Sequence, residues 1–197
     1  MPSRTSICIV ILAFLIFWTV GAYNRLVRLK NVIASAFGQV DVQLKRRYDL
    51  IPNLVEAAEK YLQHERETLD AVISMRNQAR TASEAVRSRP ANARAVNALS
   101  AAEQALEGSL RLFFAVAEAY PELKADDTLK NLREEQANTD NKLAFARQAY
   151  NDAALDYNKA RSQFPALVVA KVFGFTPSAM LQATKGVQES KQVRIQN

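Results

Sequence analysis

The sequence predicts an all-α protein, in which an up-and-down antiparallel four-helix bundle follows an N-terminal transmembrane helix. Residues 6–23 form an uncharged apolar run, and apolar residues recur at three- and four-residue spacing through most of the remaining chain. Glycine (5) and proline (6) are scarce among the 197 residues. This scarcity favours long helices, because glycine and proline are the least favourable residues in a helix interior.

The apolar run at residues 6–23 is long enough to cross a membrane. Its length at about 1.5 Å per residue is about 27 Å, close to the thickness of the hydrocarbon core of a bilayer. Trp18 and Tyr23 lie toward its C-terminal end, and aromatic rings favour the membrane interface. The alternative is a cleaved signal peptide, since Val20, Gly21 and Ala22 offer small residues at plausible cleavage positions. We predict an anchor, because the run is long for a signal peptide and the basic residues follow it.

The charged residues that flank the apolar run predict its orientation. Arg4 precedes the run, and three basic residues follow it at once: Arg25, Arg28 and Lys30. Cytoplasmic flanks of membrane helices retain their lysine and arginine residues. We therefore predict a single-pass protein with a short external tail at residues 1–5 and a cytoplasmic domain at residues 24–175.

The first two helices of the predicted domain carry apolar stripes at helical spacing. The first stripe continues from the membrane helix to Leu44, and the second runs from Ile51 to Val72. Asp49 can cap the second helix, and Pro52 then falls in its first turn, where the missing N–H costs little. A helix boundary is therefore predicted near Asp49.

The third and fourth helices follow a predicted loop near Pro90, because residues 80–92 are richer in serine, arginine and proline and lose the apolar stripe. The third stripe runs from Val96 to Tyr120 and ends before Pro121, and the fourth helix starts between residues 126 and 128. The fourth helix carries a heptad seam that requires partner helices: Leu129, Leu132, Gln136, Thr139, Leu143, Ala146, Tyr150, Ala153, Tyr157, Ala160 and Phe164. Asn151 and Asn158 follow the two tyrosines, and we predict that they form hydrogen bonds across helices.

Two further segments follow the fourth helix. The apolar run from Phe164 to Phe175 is predicted to lie near the lipid, because four antiparallel helices return the chain toward the membrane. Residues 176–197 are mostly polar and are predicted to form a loosely held tail.

Two groups of residues are candidates for contacts with other molecules. The candidate protein-binding residues are Lys45, Arg46, Arg47, Asp49 and Glu56, and the alternative is a solvated helix end. In an upright helix Lys45 lies about 33 Å beyond Tyr23, too far for attraction to lipid head groups. The candidate lipid contacts are Arg25, Arg28, Lys30, Phe173 and Phe175.

The sequence carries no recognisable catalytic motif. His64 is the only histidine, and although Glu65 follows it, Thr68 stands where a zinc-protease helix has its second histidine. The five glycines are scattered singly, so no phosphate-binding loop is present. We predict no catalysis, cofactor, metal or small-molecule substrate. The net charge of +6 comes without a DNA- or RNA-binding motif, which predicts no nucleic-acid partner.

Several strings in the sequence resemble the LemA family of bacterial membrane proteins. The most specific is VQLKRRYDLIPNLVE, from Val42 to Glu56, and EAYPELKA, from Glu118 to Ala125, is similar as well. The resemblance covers residues 20–175, and the tail beyond departs from the family pattern. It implies an anchor whose short end lies outside the bacterial inner membrane, a cytoplasmic four-helix bundle and no enzymatic activity.

Two functions remain open at this stage. The first is a membrane-anchored scaffold or adaptor that presents helix surfaces to unidentified protein partners or to further copies of itself. The alternative is a peripheral lipid-binding or membrane-shaping protein, which acts through the juxtamembrane basic residues and the run from Phe164 to Phe175.

Overall fold

The computed structural model describes residues 4–182, with side chains from Ile9 onward. Six helices lie in this range: α1 (Arg4–Glu59), α2 (Arg66–Ser88), α3 (Ala93–Glu118), α4 (Pro121–Ala125), α5 (Asp127–Ser162) and α6 (Ala166–Val172). No strand occurs among the described residues. The predicted all-α class is therefore confirmed. Helix α1 already begins at Arg4, within the predicted external tail.

Helix α1 contains both the apolar run and the residues predicted to open a second helix. The boundary predicted near Asp49 is wrong, because α1 continues through Pro52 to Glu59. Pro52 has no N–H to donate to the carbonyl of Tyr48, four residues earlier. The Nε of Arg76 on α2 donates to that carbonyl instead, at 2.9 Å. A tertiary hydrogen bond thus replaces the one that proline removes, and the helix does not break.

We expect Arg76→Met to destabilise the domain by about 1–2 kcal/mol, because the Tyr48 carbonyl loses its charged donor. Arg80→Met is the matched control, since Arg80 lies one turn later on α2 in an exposed pair with Glu84. Such surface pairs contribute about 0–1 kcal/mol. Urea denaturation followed by circular dichroism measures both variants. Equal losses would contradict the assigned role of Arg76.

The loop predicted near Pro90 is confirmed, because α2 ends at Ser88 and α3 begins at Ala93. The stripe-poor stretch before it is nevertheless helical. Ser83 interrupts the apolar stripe but is buried, where its hydroxyl donates to Oδ1 of Asp41 at 3.3 Å. Helix α3 then starts at a cap, in which Oδ1 of Asn92 accepts from a backbone N–H.

Helix α5 begins where the sequence predicts. Oδ1 of Asp126 accepts from the backbone N–H groups of Thr128, at 2.9 Å, and Leu129, at 3.2 Å. Most of the predicted seam is buried: Leu129, Gln136, Thr139, Leu143, Tyr150, Ala153, Tyr157 and Ala160. Leu132 and Ala146 are half-buried, and Phe164 is 76% exposed because the helix ends at Ser162.

Helices α1, α2, α3 and α5 contribute to one hydrophobic core, together with residues of α4 and α6. Three contacts fix the relative direction of α1 and α5: Phe37 with Tyr150 between the two helices, and Trp18 with Phe164 and Lys60 with Asp126 at or just beyond their ends. Residue numbers fall along α5 as they rise along α1. These two helices are therefore antiparallel.

The chain after α6 turns back along α5. The loosely held tail predicted from residue 176 is wrong for residues 176–182, because the side chains of Ser178 and Leu181 are buried. The side chains of Asn158 and Asn151 hydrogen-bond to the backbone of these two residues. The rest of the predicted tail, residues 183–197, lies outside the described residues.

Candidate functional site

The apolar part of α1 exposes its side chains. Between Ile9 and Val20 the large apolar side chains are 36–79% exposed, whereas Leu26 and Ile33, further along the same helix, are fully buried. By length and composition α1 could cross a membrane. Its N-terminal part is therefore consistent with a membrane anchor, and the same helix continues into the core.

An aromatic cluster joins the end of this apolar part to the region of α6. The ring centroids of Trp18 and Phe164 are 5.5 Å apart. Tyr23 packs edge-on against Phe173, at 5.1 Å, and Phe175, at 5.5 Å. Since Trp18 and Tyr23 are five residues apart, the cluster extends about 7.5 Å along α1. The segment from Phe164 to Phe175 thus lies beside the last turns of the apolar run.

Helix α6 has one buried face and one exposed apolar face. Ala166, Val169 and Ala170 are buried against α1 and α5. Phe164, Val168 and Val172 follow one another at four-residue spacing and are more than half exposed. Of the two predicted lipid contacts in this region, Phe173 is exposed, and Phe175 is half-buried beneath Tyr23.

The end of the molecule that carries the aromatic cluster is positively charged. Residues 4–40 and 157–182 contain no aspartate or glutamate. The basic residues in these two ranges are Arg4, Arg25, Arg28, Lys30, Lys159, Arg161 and Lys171. The predicted lipid contacts Arg25, Arg28 and Lys30 are all exposed. Exposed basic residues beside an apolar helix favour anionic head groups over zwitterionic ones.

The structure does not bring Lys45, Arg46 and Arg47 together as one surface. Lys45 Nζ lies 3.6 Å from Oδ2 of Asp41, one turn earlier on α1. Arg46 Nη2 donates to Oε1 of Glu135 on α5 at 3.0 Å. Arg47 is 3% exposed, so its predicted place on a protein-binding surface is wrong. Successive helical residues point about 100° apart, and the three side chains therefore reach different surroundings.

The acidic residues predicted to accompany this cluster remain on the surface. Asp49 is exposed, and its carboxylate lies 3.9 Å from Nη2 of Arg76 on α2. Glu56 is also exposed, two turns later on α1. Neither carboxylate makes a described ion pair with Lys45, Arg46 or Arg47.

Arg47 belongs to a buried ion cluster of five residues: Arg47, Tyr48, Glu103, Asp140 and Arg147. The Glu103 carboxylate accepts from Arg47 Nη1 at 2.8 Å, from Arg147 Nη2 at 3.0 Å and from the Tyr48 hydroxyl at 2.6 Å. Arg47 Nε lies 3.3 Å from Oδ1 of Asp140, in an ion-pair contact without hydrogen-bond geometry. The ion cluster thus links α1, α3 and α5 through charge.

The charges of the ion cluster balance, because each arginine faces a carboxylate. Burial and the adjacent Glu103 carboxylate raise the pKa of Tyr48, so its hydroxyl stays protonated and donates. Burial also raises the pKa of Asp140, against the opposing effect of Arg47. A cavity of about 10 Å³ adjoins Glu103 and Arg147. It has room for about one water molecule, which is too little for a substrate.

The sequence held one signal for the ion cluster. Leu99 and Leu106 of the third apolar stripe are seven residues apart, and Glu103 occupies the heptad position between them. A carboxylate on the buried stripe of a helix implies a buried cation, because an unpaired buried charge is very costly. The sequence alone did not identify which arginines it meets.

The prediction that Asn151 and Asn158 hydrogen-bond across helices is wrong. Both side chains bind the segment at residues 176–182 instead. Asn158 Nδ2 donates to the carbonyl of Ser178 at 2.8 Å, and its Oδ1 accepts from the Ser178 N–H at 2.9 Å. Asn151 makes the same pair of bonds with Leu181, at 2.9 and 2.8 Å. Tyr157, a predicted seam residue, donates to the carbonyl of Thr176 at 2.9 Å.

A family model described as the LemA family matches residues 36–196. The chain belongs to the LemA family. The match confirms the resemblance and continues past residue 175, so the tail is also part of the family pattern. A comparison with curated proteins finds no match to the chain.

The LemA match includes some parts of the candidate site and omits others. It covers the ion cluster, both asparagines and α6, but it begins after the apolar run at residues 6–23. Arg25, Arg28 and Lys30 also precede it. The LemA pattern in this chain therefore describes the helical domain, and the interpretation of the apolar run as a membrane anchor rests on its exposure and composition.

Proposed function

We propose that this LemA-family chain is a single-pass protein of the bacterial inner membrane, whose domain acts as a non-enzymatic scaffold on the cytoplasmic face. The apolar run at residues 6–23 is the anchor, and residues 24–175 form an up-and-down antiparallel four-helix bundle. The basic residues that follow the apolar run support the cytoplasmic side, because such flanks stay in the cytoplasm.

Side-chain contacts between neighbouring helices support the bundle topology. Helices α1 and α2 meet through Asp41 with Arg87 and through Tyr48 with Arg76. Helices α3 and α5 meet through Glu103 with Arg147 and through Glu118 with Arg133. In both pairs the residue numbers run in opposite directions. Together with the antiparallel contact of α1 and α5, this is the pattern of an up-and-down bundle.

The continuity of α1 is the observation that carries the scaffold proposal. One helix runs without a break from the exposed apolar residues, past the buried residues of the core, to Glu59. A rigid helix of this kind holds the domain at a fixed height and direction relative to the bilayer. Fixed presentation of its surfaces is what a membrane-anchored scaffold provides to its partners. Since the ion cluster satisfies its own charges, a catalytic role for it has little support.

Three large apolar side chains supply contact surface on the outside of the domain. Phe145 on α5 is 77% exposed, Val42 on α1 is 59% exposed and Leu112 on α3 is 55% exposed. Exposed aromatic and aliphatic side chains are common anchors at protein interfaces. We propose that Phe145 and Leu112 contact protein partners or further copies of the chain.

A photo-crosslinking amino acid at position 145 or 112 tests the scaffold proposal in living cells. We expect discrete cross-linked adducts from both positions, because a partner occupies the same surface in most molecules. Lys142, which is exposed on α5 one turn from Phe145, is the control position. A lack of adducts at positions 145 and 112, with monomeric protein after mild detergent extraction, would contradict a scaffold role.

The aromatic cluster favours a second candidate function, namely lipid binding through the region of α6. Trp18 lies within the apolar run, so Phe164 beside it reaches the level of the predicted bilayer interface. The exposed apolar face of α6 and the basic residues Arg25, Arg28 and Lys30 lie in the same region. In this function Phe164, Val168 and Val172 contact lipid, while Phe175 stabilises the region from within.

Spin labels at single cysteines measure the depth of α6 in reconstituted vesicles with anionic lipid. In a Cys8→Ser background we expect labels at positions 168 and 172 to contact oxygen dissolved in the lipid. A label at position 142, an exposed site about 33 Å from Phe164 along α5, should contact the aqueous relaxation agent instead. Equal aqueous access at positions 168, 172 and 142 would exclude lipid contact by α6.

A further inference from the structure

Residues 176–182 occupy a groove between α5 and α3. On the α5 side, Asn151 and Asn158 each bind both the N–H and the carbonyl of a single residue, Leu181 and Ser178 respectively. On the α3 side, the Ser100 hydroxyl accepts from the backbone N–H of Gln182 at 3.4 Å. A residue in a β-ladder forms the same double hydrogen bond with its antiparallel neighbour. The two carboxamides therefore bind backbone as a neighbouring strand does.

The spacing of the two asparagines fits an extended peptide. They are seven residues apart on α5, which corresponds to about 10.5 Å along the helix axis. Ser178 and Leu181 are three residues apart, which is one turn and about 9 Å of an extended polyproline-II chain, so both face the same side. The two repeats are similar in length, so an extended peptide with suitable side chains can meet both carboxamides.

The buried side chains of the segment define which peptides are suitable. Ser178 and Leu181 are buried, whereas Met180 between them is 42% exposed. Leu181 lies beside Val40, Leu44 and Leu99 at the edge of the core. The groove therefore requires a small residue at the first position and an aliphatic residue three positions later, and it tolerates variation between them.

We infer that the groove between α3 and α5 is a binding site for an extended peptide, and that residues 176–182 are its tethered occupant. The long helices do not need the segment for their own hydrogen bonds, since its contacts are to side chains of α3 and α5. The segment joins α6 through Gly174, whose φ of +71° is a conformation that glycine adopts readily. This site goes beyond the scaffold proposal and does not depend on the anchor.

A tethered occupant competes with any peptide that arrives from another molecule. Tethering gives the segment an effective concentration in the millimolar range, so a free peptide of equal affinity occupies few sites. Weakening the segment at Leu181 should open the groove without changing the residues that line it. Leu181→Asp does this, because an unpaired carboxylate is costly in an apolar pocket.

Binding of a fluorescent peptide with the sequence of residues 175–182 tests the inference on the full-length chain in detergent. We expect saturable binding to the Leu181→Asp variant by fluorescence anisotropy, and much weaker binding to the unaltered chain. Adding Asn158→Ala to the variant should weaken binding at least about tenfold, because two hydrogen bonds to the peptide are lost. A peptide that itself carries Leu181→Asp is the matched control and should not bind.

Two results would overturn the inference. One is a Leu181→Asp chain of unaltered helix content that does not bind the native peptide up to its solubility limit. The other is binding that Asn158→Ala and Asn151→Ala leave unchanged, since the peptide then binds elsewhere. If Leu181→Asp lowers the helix content, Leu181→Ala is the milder variant to use in its place. Either of the same two results, obtained with Leu181→Ala, would overturn the inference.

Discussion

Glu103→Ala should destabilise the helical domain by about 3–5 kcal/mol, because two buried arginines lose the carboxylate between them. Arg47 and Arg147 each donate to Glu103 from the domain interior, and Tyr48 donates to its other oxygen. After the substitution Asp140 is the remaining carboxylate of the ion cluster, and its side chain is 39% exposed. Thermal and urea denaturation measure the loss.

Glu135→Ala is the matched control for Glu103→Ala. Glu135 also forms an ion pair between α1 and α5, with Arg46, but the two side chains of that pair are 42% and 52% exposed. Exposed pairs contribute about 0–1 kcal/mol, so this variant should remain close to the unaltered chain. Similar losses of unfolding free energy for the two variants would show that burial does not determine how much the ion cluster contributes to stability.

Phe14→Arg should release much of the protein from the membrane fraction. Position 14 lies near the middle of the apolar run at residues 6–23, and its side chain is 67% exposed. An arginine at the centre of a membrane helix raises the free energy of insertion by about 2.5–3.5 kcal/mol. The neighbouring apolar side chains of α1 are also largely exposed, so the domain offers no cavity in which the arginine could avoid the lipid.

Asn24→Arg is the control for membrane insertion. Asn24 is exposed directly after the apolar run, where an arginine joins the basic residues already present. Membrane fractionation and alkaline extraction should leave this variant in the pellet. If Phe14→Arg stays in the pellet to the same extent, the apolar part of α1 is not what holds the protein in the membrane.

Helical periodicity was sufficient to predict the all-α class and most of the buried residues, because burial on a helix follows the spacing of apolar side chains. It did not predict where α1 ends. The boundary at Pro52 depends on whether another residue meets the Tyr48 carbonyl, and Arg76 lies on a different helix. For the same reason the loss of the apolar stripe at Ser83 gave no sign that this residue is buried, although its contact with Asp41 places it inside the domain.

The candidate site was less predictable than the fold. Lys45, Arg46 and Arg47 are adjacent in sequence, but the helix turns them toward three different partners. The pair Tyr150-Asn151 recurs seven residues later as Tyr157-Asn158 in the sequence. This spacing places hydrogen-bonding residues on one face of the helix. Their partner could not be predicted, because residues 176–182 carry no periodic pattern that places them beside α5.

Cysteine accessibility in spheroplasts is the most direct test of a membrane-anchored domain on the cytoplasmic side. Single cysteines at position 3 and at the exposed position 142, in a Cys8→Ser background, are treated with a membrane-impermeant maleimide. We predict that position 3 reacts in intact spheroplasts and that position 142 reacts only after the membrane is permeabilised. Reaction of position 142 in intact spheroplasts would contradict both the orientation and the cytoplasmic scaffold.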